Sequence, residues 1–172
     1  MLAKSWVPGQ LHIALFLAVA KSDRYYLVYR LALDFGMRLG EIIGLSKGDV
    51  NLTRCHIHIH RQWIDKEKKY GPTKHGKERY IYFERSSELY SLLKDSLERE
   101  GDNEIIFETP SKKRLNARKW SNYYFQRLIV KSGVPRIRLH DLRHIFASWY
   151  MIVTDNIWDL KKILGHADIQ TT

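Results

Sequence analysis

Residues 139–148 read LHDLRHIFAS and place His140 and Arg143 about one turn apart on a predicted helix. Apolar side chains recur around them at the spacing of a face that packs into a core: Leu142, Ile145, Phe146, Trp149 and Val153. His140 and Arg143 fall on the opposite face, beside the small Ala147. A fork of N–H donors next to an acid–base group suits a phosphate. The alternative interpretation is an ordinary solvated helix face.

Three further stretches place charged residues next to glycines: residues 33–45 (LDFGMRLGEIIGL), 71–83 (GPTKHGKERYIYF) and 160–172 (LKKILGHADIQTT). Arg38 and Glu41 have the i, i+3 spacing of a surface ion pair, which contributes only about 0.2–0.5 kcal/mol. Lys74 precedes a glycine turn, where a lysine normally serves solubility. His166 directly follows Gly165, which is predicted to end a helix. Taken singly, each of these residues has such a plain structural interpretation.

Taken together and in this order, the four stretches resemble the catalytic domain of the tyrosine recombinases, the phage integrase family. The resemblance implies that Arg38, Arg143 and His166 contact the scissile phosphate of DNA, and that Glu41 helps to orient that contact. Fixed donors of this kind would neutralise the negative charge that gathers on the nonbridging oxygens of a pentacoordinate phosphorane.

The same resemblance implies the acid–base groups of two transesterifications, with a 3′-phosphotyrosine formed first and then attacked by a free 5′ hydroxyl. His140 would accept the proton of the tyrosine nucleophile, and Lys74 would protonate the leaving 5′ oxygen. Lys77 is close enough in the sequence to be a rival for the role of Lys74.

The nucleophilic tyrosine of the family follows the histidine that matches His166, at a position that falls beyond Thr172. Tyr123, Tyr124 and Tyr150 are poor substitutes, because their surroundings match a packed helix. We therefore expect residues 1–172 to be a single catalytic domain without the N-terminal DNA-binding domain and the C-terminal tail of such enzymes. A chain of this kind should bind DNA weakly and form no covalent complex with it.

Charge favours a polyanionic partner, since 29 Lys and Arg stand against 19 Asp and Glu, a net charge of +10. Double-stranded DNA, RNA and, less favourably, an anionic membrane surface fit this excess. The DNA-binding candidates are Lys77 and the basic loop of Lys112, Lys113 and Arg114. The resemblance implies a parent enzyme that assembles as a tetramer on DNA, whereas the chain itself is expected to be a monomer with some exposed apolar surface.

Neither a cofactor nor a metal is expected, because arginines would supply the positive charge that many nucleases take from metal ions. His56, His58 and His60 share one strand face and could bind a metal, but no Cys, Asp or Glu stands among residues 56–60 to complete the site. Cys55 is the single cysteine, so no internal disulfide can form, and a cytoplasmic, reducing environment fits.

The predicted fold is α+β and mainly α, with one small three-stranded antiparallel sheet. The run CHIHIHRQW at residues 55–63 alternates with period two and predicts the first strand. Residues 70–74 and 78–83 predict two more strands, joined by a hairpin turn at residues 75–77. The helical pattern predicts one helix over residues 117–132 and a last helix over residues 155–164.

Two other functions remain open on the sequence alone. A non-catalytic DNA-binding module would fit the basic charge equally well, and a histidine-based metalloenzyme would bind metal stoichiometrically. The recombinase hypothesis differs from both, because it requires Arg38, His140, Arg143 and His166 to converge on one pocket.

Overall fold

The computed structural model describes residues 9–74, 76–99 and 104–165. Its helices are α1 (Gln10–Ala20), α2 (Tyr26–Phe35), α3 (Leu39–Gly44), α4 (Glu88–Glu98), α5 (Ala117–Lys119), α6 (Gln126–Ser132), α7 (Leu139–Thr154) and α8 (Ile157–Leu164). Its strands are β1 (Val50–Asn51), β2 (His56–Ile59), β3 (Arg61–Ile64), β4 (Lys69–Pro72) and β5 (Arg79–Tyr82). A 3₁₀ turn (Lys47–Asp49) precedes β1, and a π-helical segment (Trp120–Phe125) joins α5 to α6. No helix in these ranges is long and apolar enough to cross a membrane.

The core surrounds α2, which is apolar on nearly all sides and packs against α7, α3 and α4. Beside it, aromatic rings interlock at right angles or in stacks: Phe16 lies 5.3 Å from Tyr29, and Tyr29 stacks on Trp120 at 5.6 Å. These contacts join α1, α2 and the π-helical segment. Because α5, the π-helical segment and α6 follow one another without a gap, residues 117–132 form the single helical stretch that the sequence predicts. The expected mainly α architecture is therefore confirmed.

The strand pairing differs from the prediction. β2 pairs antiparallel with β1 and with β5, and Ile57 lies opposite Ile81. β3 and β4 form a separate two-stranded hairpin, in which Trp63 lies opposite Tyr70. The predicted pairing of residues 70–74 with 78–83 is thus wrong, and the third strand of the sheet is β1. The physical reason is that the strand is interrupted at His60, so β2 stays in the sheet beside β5 while β3 leaves the sheet and pairs with β4.

Three interpretations of the C-terminal helices also need correction. Val153 is 82% exposed, because the core contacts of α7 end near Trp149. Arg143 is only 3% exposed, since α8 folds back over that part of α7, so the alternative interpretation of a solvated helix face does not hold for it. The last helix begins at Ile157, two residues later than predicted, because Asp155 adopts φ 47° and ends α7.

Candidate active site

Arg38 lies at the junction between the end of α2 and the start of α3. Gly36 ends α2 in the left-handed conformation (φ 59°), and the chain then turns so that Arg38 is the N-cap residue of α3. From there the Arg38 Nη1 atom donates to Glu41 Oε1 at 3.2 Å and to the Leu164 carbonyl oxygen at 3.4 Å. The first and last of the four stretches are therefore in direct contact.

Arg143 comes to the same point from α7. Its Nη2 atom donates to the Leu164 carbonyl oxygen at 2.8 Å, and its Nη1 atom donates to the Gly36 carbonyl oxygen. Arg38 and Arg143 therefore share one acceptor at the C-terminal end of α8, where the helix dipole favours cations. Burial lowers the pKa of Arg143 to about 9, and the positive charge of Arg38 adds to the effect while Glu41 opposes it. Such concentrated positive charge suits an anion.

The Glu41 carboxylate has a second arginine partner that the sequence did not indicate. Arg79 on β5 donates from Nη2 to Glu41 Oε2 at 2.7 Å and from Nη1 to Oε1 at 3.0 Å. The Glu41 side chain is fully buried, so the pair of Arg38 and Glu41 is not the surface ion pair that their spacing alone suggests. The alternation of β5 held a usable signal, because Arg79 shares its strand face with the buried Ile81.

His140 lies at the start of α7, with the ring of His144 4.7 Å away and nearly perpendicular to it. Partial burial lowers the pKa of His140, and the neighbouring charges of His144 and Arg143 lower it further. The imidazole is therefore neutral near pH 7 and can accept a proton. A cavity of about 220 Å³ adjoins it, with Ser121 and Asn122 from the π-helical segment in its wall.

The predicted general acid lies on the loop between β4 and β5. Lys74 and Lys77 are both exposed there, and the Lys77 carbonyl oxygen accepts a hydrogen bond from the Thr73 hydroxyl. Arg79 follows two residues after Lys77. The loop therefore leads directly into the arginine cluster, by which we mean Arg38, Arg79 and Arg143 around Glu41 and the end of α8. His166 lies outside the described residues; Gly165 before it has φ 64° and ends α8 as predicted. Of the four residues expected to converge, the structure thus brings Arg38 and Arg143 to one shared acceptor, with His140 three residues before Arg143 on α7. Glu41 contacts Arg38 at the same place.

The basic loop divides into two parts. Lys112 and Lys113 are exposed, whereas Arg114 is half-buried and donates to the Ile43 carbonyl oxygen and the Tyr70 hydroxyl. The Arg114 guanidinium also lies 4.4 Å from the centre of the Trp63 ring. Arg114 therefore fastens the β3–β4 hairpin to the end of α3, and its role in DNA binding stays a prediction.

His56 packs against the rings of Tyr80 and Tyr82, whereas the other two histidines of this run contact carboxylates. His58 contacts Glu78 at 2.9 Å, and His60 contacts Asp49 at 3.0 Å. Across the described ranges, no group of three or more His, Cys, Asp or Glu side chains could hold a metal ion.

The sequence model of the phage integrase family matches residues 12–172. The chain belongs to this family. It is similar to the tyrosine recombinase XerA of Saccharolobus solfataricus, with 28% identity over 95% of this chain and 49% of the relative. It is also similar to the ICEBs1 integrase of Bacillus subtilis, with 26% identity over 98% of this chain and 49% of that protein. The chain spans about half the length of these curated relatives.

Solved structures of tyrosine recombinases share the fold. The chain superposes on the Tn1549 transposon integrase, solved in complex with a circular intermediate DNA, with a TM-score of 0.86 at 19% identity over 98% of this chain and 60% of that one. For a crystal structure of the XerA recombinase the TM-score is 0.79 at 24% identity, over 96% of this chain and 58% of the other. The fold is that of a tyrosine recombinase catalytic domain.

Proposed function

We propose that this domain binds a DNA phosphodiester at the arginine cluster and cuts and rejoins DNA site-specifically through a 3′-phosphotyrosyl intermediate. The observation that carries the proposal is the convergence of Arg38 and Arg143, from helices distant in the sequence, on the Leu164 carbonyl oxygen. Two guanidinium groups held in one place form the fixed positive site that a phosphorane requires. A module that only contacts the DNA backbone has no need to bury such groups.

The acid–base groups follow from where the side chains lie. His140, neutral and beside the cluster, takes the proton of the attacking hydroxyl. Lys74, exposed on the loop that leads to Arg79, donates a proton to the leaving 5′ oxygen. The free 5′ hydroxyl of a partner strand then attacks the phosphotyrosine, so the energy of the phosphodiester bond is kept and no ATP is consumed.

The nucleophile is proposed to follow His166, as in the family, rather than to be one of the tyrosines inferred above to be packed. Tyr150 packs against Phe146 with ring centres 5.7 Å apart, in the small cluster between α7 and α8. Tyr123 accepts a hydrogen bond from Arg127 and packs against Tyr124. Tyr123 and Tyr124 are about half exposed and not packed as the sequence suggested, but these contacts support an ordinary structural role for the three tyrosines.

Duplex DNA is the proposed partner, and a tetramer on DNA is the proposed assembly of the complete enzyme. The net charge of +10 and the exposed Lys112 and Lys113 support contact with phosphates. For the chain of residues 1–172 alone, we propose a monomer that binds DNA weakly and in a salt-dependent manner.

The test uses the full gene product and DNA sites selected from a random-sequence pool. Each site carries a nick near the cleavage point, so that the short fragment with the free 5′ hydroxyl dissociates after cleavage. Rejoining is then prevented, and the covalent adduct accumulates. We expect an adduct under denaturing conditions whose rate falls at least about 100-fold in Arg38→Ala. Arg127→Ala is the matched control, because it removes an exposed arginine on a different helix, α6. DNA binding without an adduct would favour the non-catalytic module, and an adduct on Tyr123, Tyr124 or Tyr150 would contradict the proposed nucleophile.

A further inference from the structure

We propose that Arg79 is a positioning residue of this reaction: it holds Glu41 and the end of α8, and through them the two phosphate-binding arginines. The inference rests on the proposed function, because it assigns Arg79 a task within the same site. Arg79 is not among the phosphate contacts that the resemblance implies, and its guanidinium donates to the Glu41 carboxylate.

The first step of the argument is the geometry of the ion pair. Two guanidinium nitrogens of Arg79 face the two oxygens of Glu41, and the two side chains are 8% and 0% exposed. A bidentate pair of this kind fixes the plane of the carboxylate. The same two oxygens also accept from the Arg38 backbone N–H at 2.9 Å and from its Nη1 atom at 3.2 Å. Arg79 therefore orients Arg38 through Glu41.

The second step is the contact with the end of α8. A Cβ atom at Gly165 would lie 3.1 Å from Nη1 and 3.6 Å from Cζ of Arg79, so the guanidinium packs directly against this glycine. The preceding carbonyl, that of Leu164, is the acceptor shared by Arg38 and Arg143. Arg79 thus contacts Glu41, which orients Arg38, and Gly165, which follows the carbonyl that accepts from both phosphate-binding arginines.

The third step concerns charge. Among the residues that the structure describes, the charged groups that face Glu41 are Arg38 from the start of α3, Arg79 from β5 and Arg143 from α7. β3 faces α3 with the uncharged Gln62. Burial acts to raise the pKa of Glu41, but hydrogen bonds and charge from Arg79, followed by those from Arg38, hold it below its usual range. Without Arg79, Glu41 would take up a proton at a higher pH and loosen its hold on Arg38.

The experiment measures the single-turnover rate of adduct formation by the full gene product across the acidic and neutral range. Arg79→Gln is compared with Arg79→Lys, which keeps the charge but not the fork. The matched control is Arg85→Gln, which changes an arginine that donates to the Thr53 carbonyl oxygen outside the cluster. We expect Arg79→Gln to lose several-fold more rate at the acidic end than at neutral pH, since a raised Glu41 pKa leaves more of that carboxyl protonated there.

The conservative variant and the partner residue separate positioning from mere stability. Arg79→Lys should lie between the wild type and Arg79→Gln, and Arg85→Gln should match the wild type. In a Glu41→Gln background, Arg79→Gln should add no further acid-limb loss. A wild-type pH profile in folded Arg79→Gln overturns the proposal. Should that variant fail to fold, a wild-type rate and profile in Arg79→Lys overturns it instead.

A readout independent of cleavage distinguishes failure of this inference from failure of the proposed function. If the wild type forms no adduct, the proposed reaction fails. The role of Arg79 is then decided by carbon-13 NMR titration of the Glu41 carboxylate, assigned with Glu41→Gln. A higher Glu41 pKa in Arg79→Lys than in the wild type supports the positioning role, and an unchanged value overturns it.

Discussion

Gly36 connects the stability of the fold to the geometry of the site, and replacing it with alanine tests that connection. Its backbone has φ 59°, and its carbonyl oxygen accepts from Arg143. A Cβ atom added at Gly36 would lie 2.5 Å from Phe146 Cδ1 and 2.6 Å from Leu164 Cδ2. Neither carbon can stay in place, because Phe146 and Leu164 are both buried in the cluster between α7 and α8.

Two contributions add up in Gly36→Ala. The left-handed backbone costs about 1–2 kcal/mol for an alanine, and forcing a methyl group into a packed contact costs about 1–3 kcal/mol. The expected loss in free energy of unfolding is therefore about 2–5 kcal/mol. Gly133→Ala is the matched control, because Gly133 has φ 67° and open space around its Cβ position, so that only the backbone strain remains.

The assay is urea unfolding of the two variants and the wild type, followed by circular dichroism and analysed by linear extrapolation. Gly36→Ala should be less stable than Gly133→Ala by about 1–3 kcal/mol, the packing contribution alone. Gly36→Ala should also bind DNA more weakly, since the Arg143 acceptor shifts with the backbone. Equal stability of the two variants would refute the packing argument.

Three further predictions test the site and its surroundings. Glu41→Gln should lower the free energy of unfolding at neutral pH, and its difference from the wild type should shrink as the pH falls below the usual carboxyl pKa of 4.5. The reason is that the lowered pKa of Glu41 stabilises the fold only while the group is ionised. A difference independent of pH in urea unfolding would contradict this. His144→Ala should raise the pKa of His140 toward its usual value by removing one of the groups that lower it, which NMR titration of the imidazole protons measures. Lys113→Ala should weaken DNA binding and reduce its salt dependence without changing stability. Its neighbour variant Arg114→Ala should instead lower the free energy of unfolding by about 1–3 kcal/mol, because it leaves the Ile43 carbonyl oxygen without its donor. An Arg114→Ala variant as stable as the wild type would show that the Arg114 contacts do not hold the hairpin.

Features that depend only on neighbouring residues can be predicted from the sequence. Helix ends follow from local backbone preferences, and the sequence therefore predicts that Gly165 ends a helix, as the structure confirms. The position of Arg38 at a helix start and the helical spacing of His140 and Arg143 are local in the same sense. The family resemblance, carried by the order of four short stretches, needed no coordinates.

Tertiary structure alone decided which of these elements meet. The pairing of β5 with β2 rather than with β4 depends on which apolar face is covered, and alternation within a strand does not identify its neighbour. Arg143 is buried because α8 returns across α7, although a helical wheel assigns it to the polar side. Arg79 meets Glu41 across 38 positions of sequence for the same reason: a buried charge finds its partner through packing, and packing is settled by the whole chain.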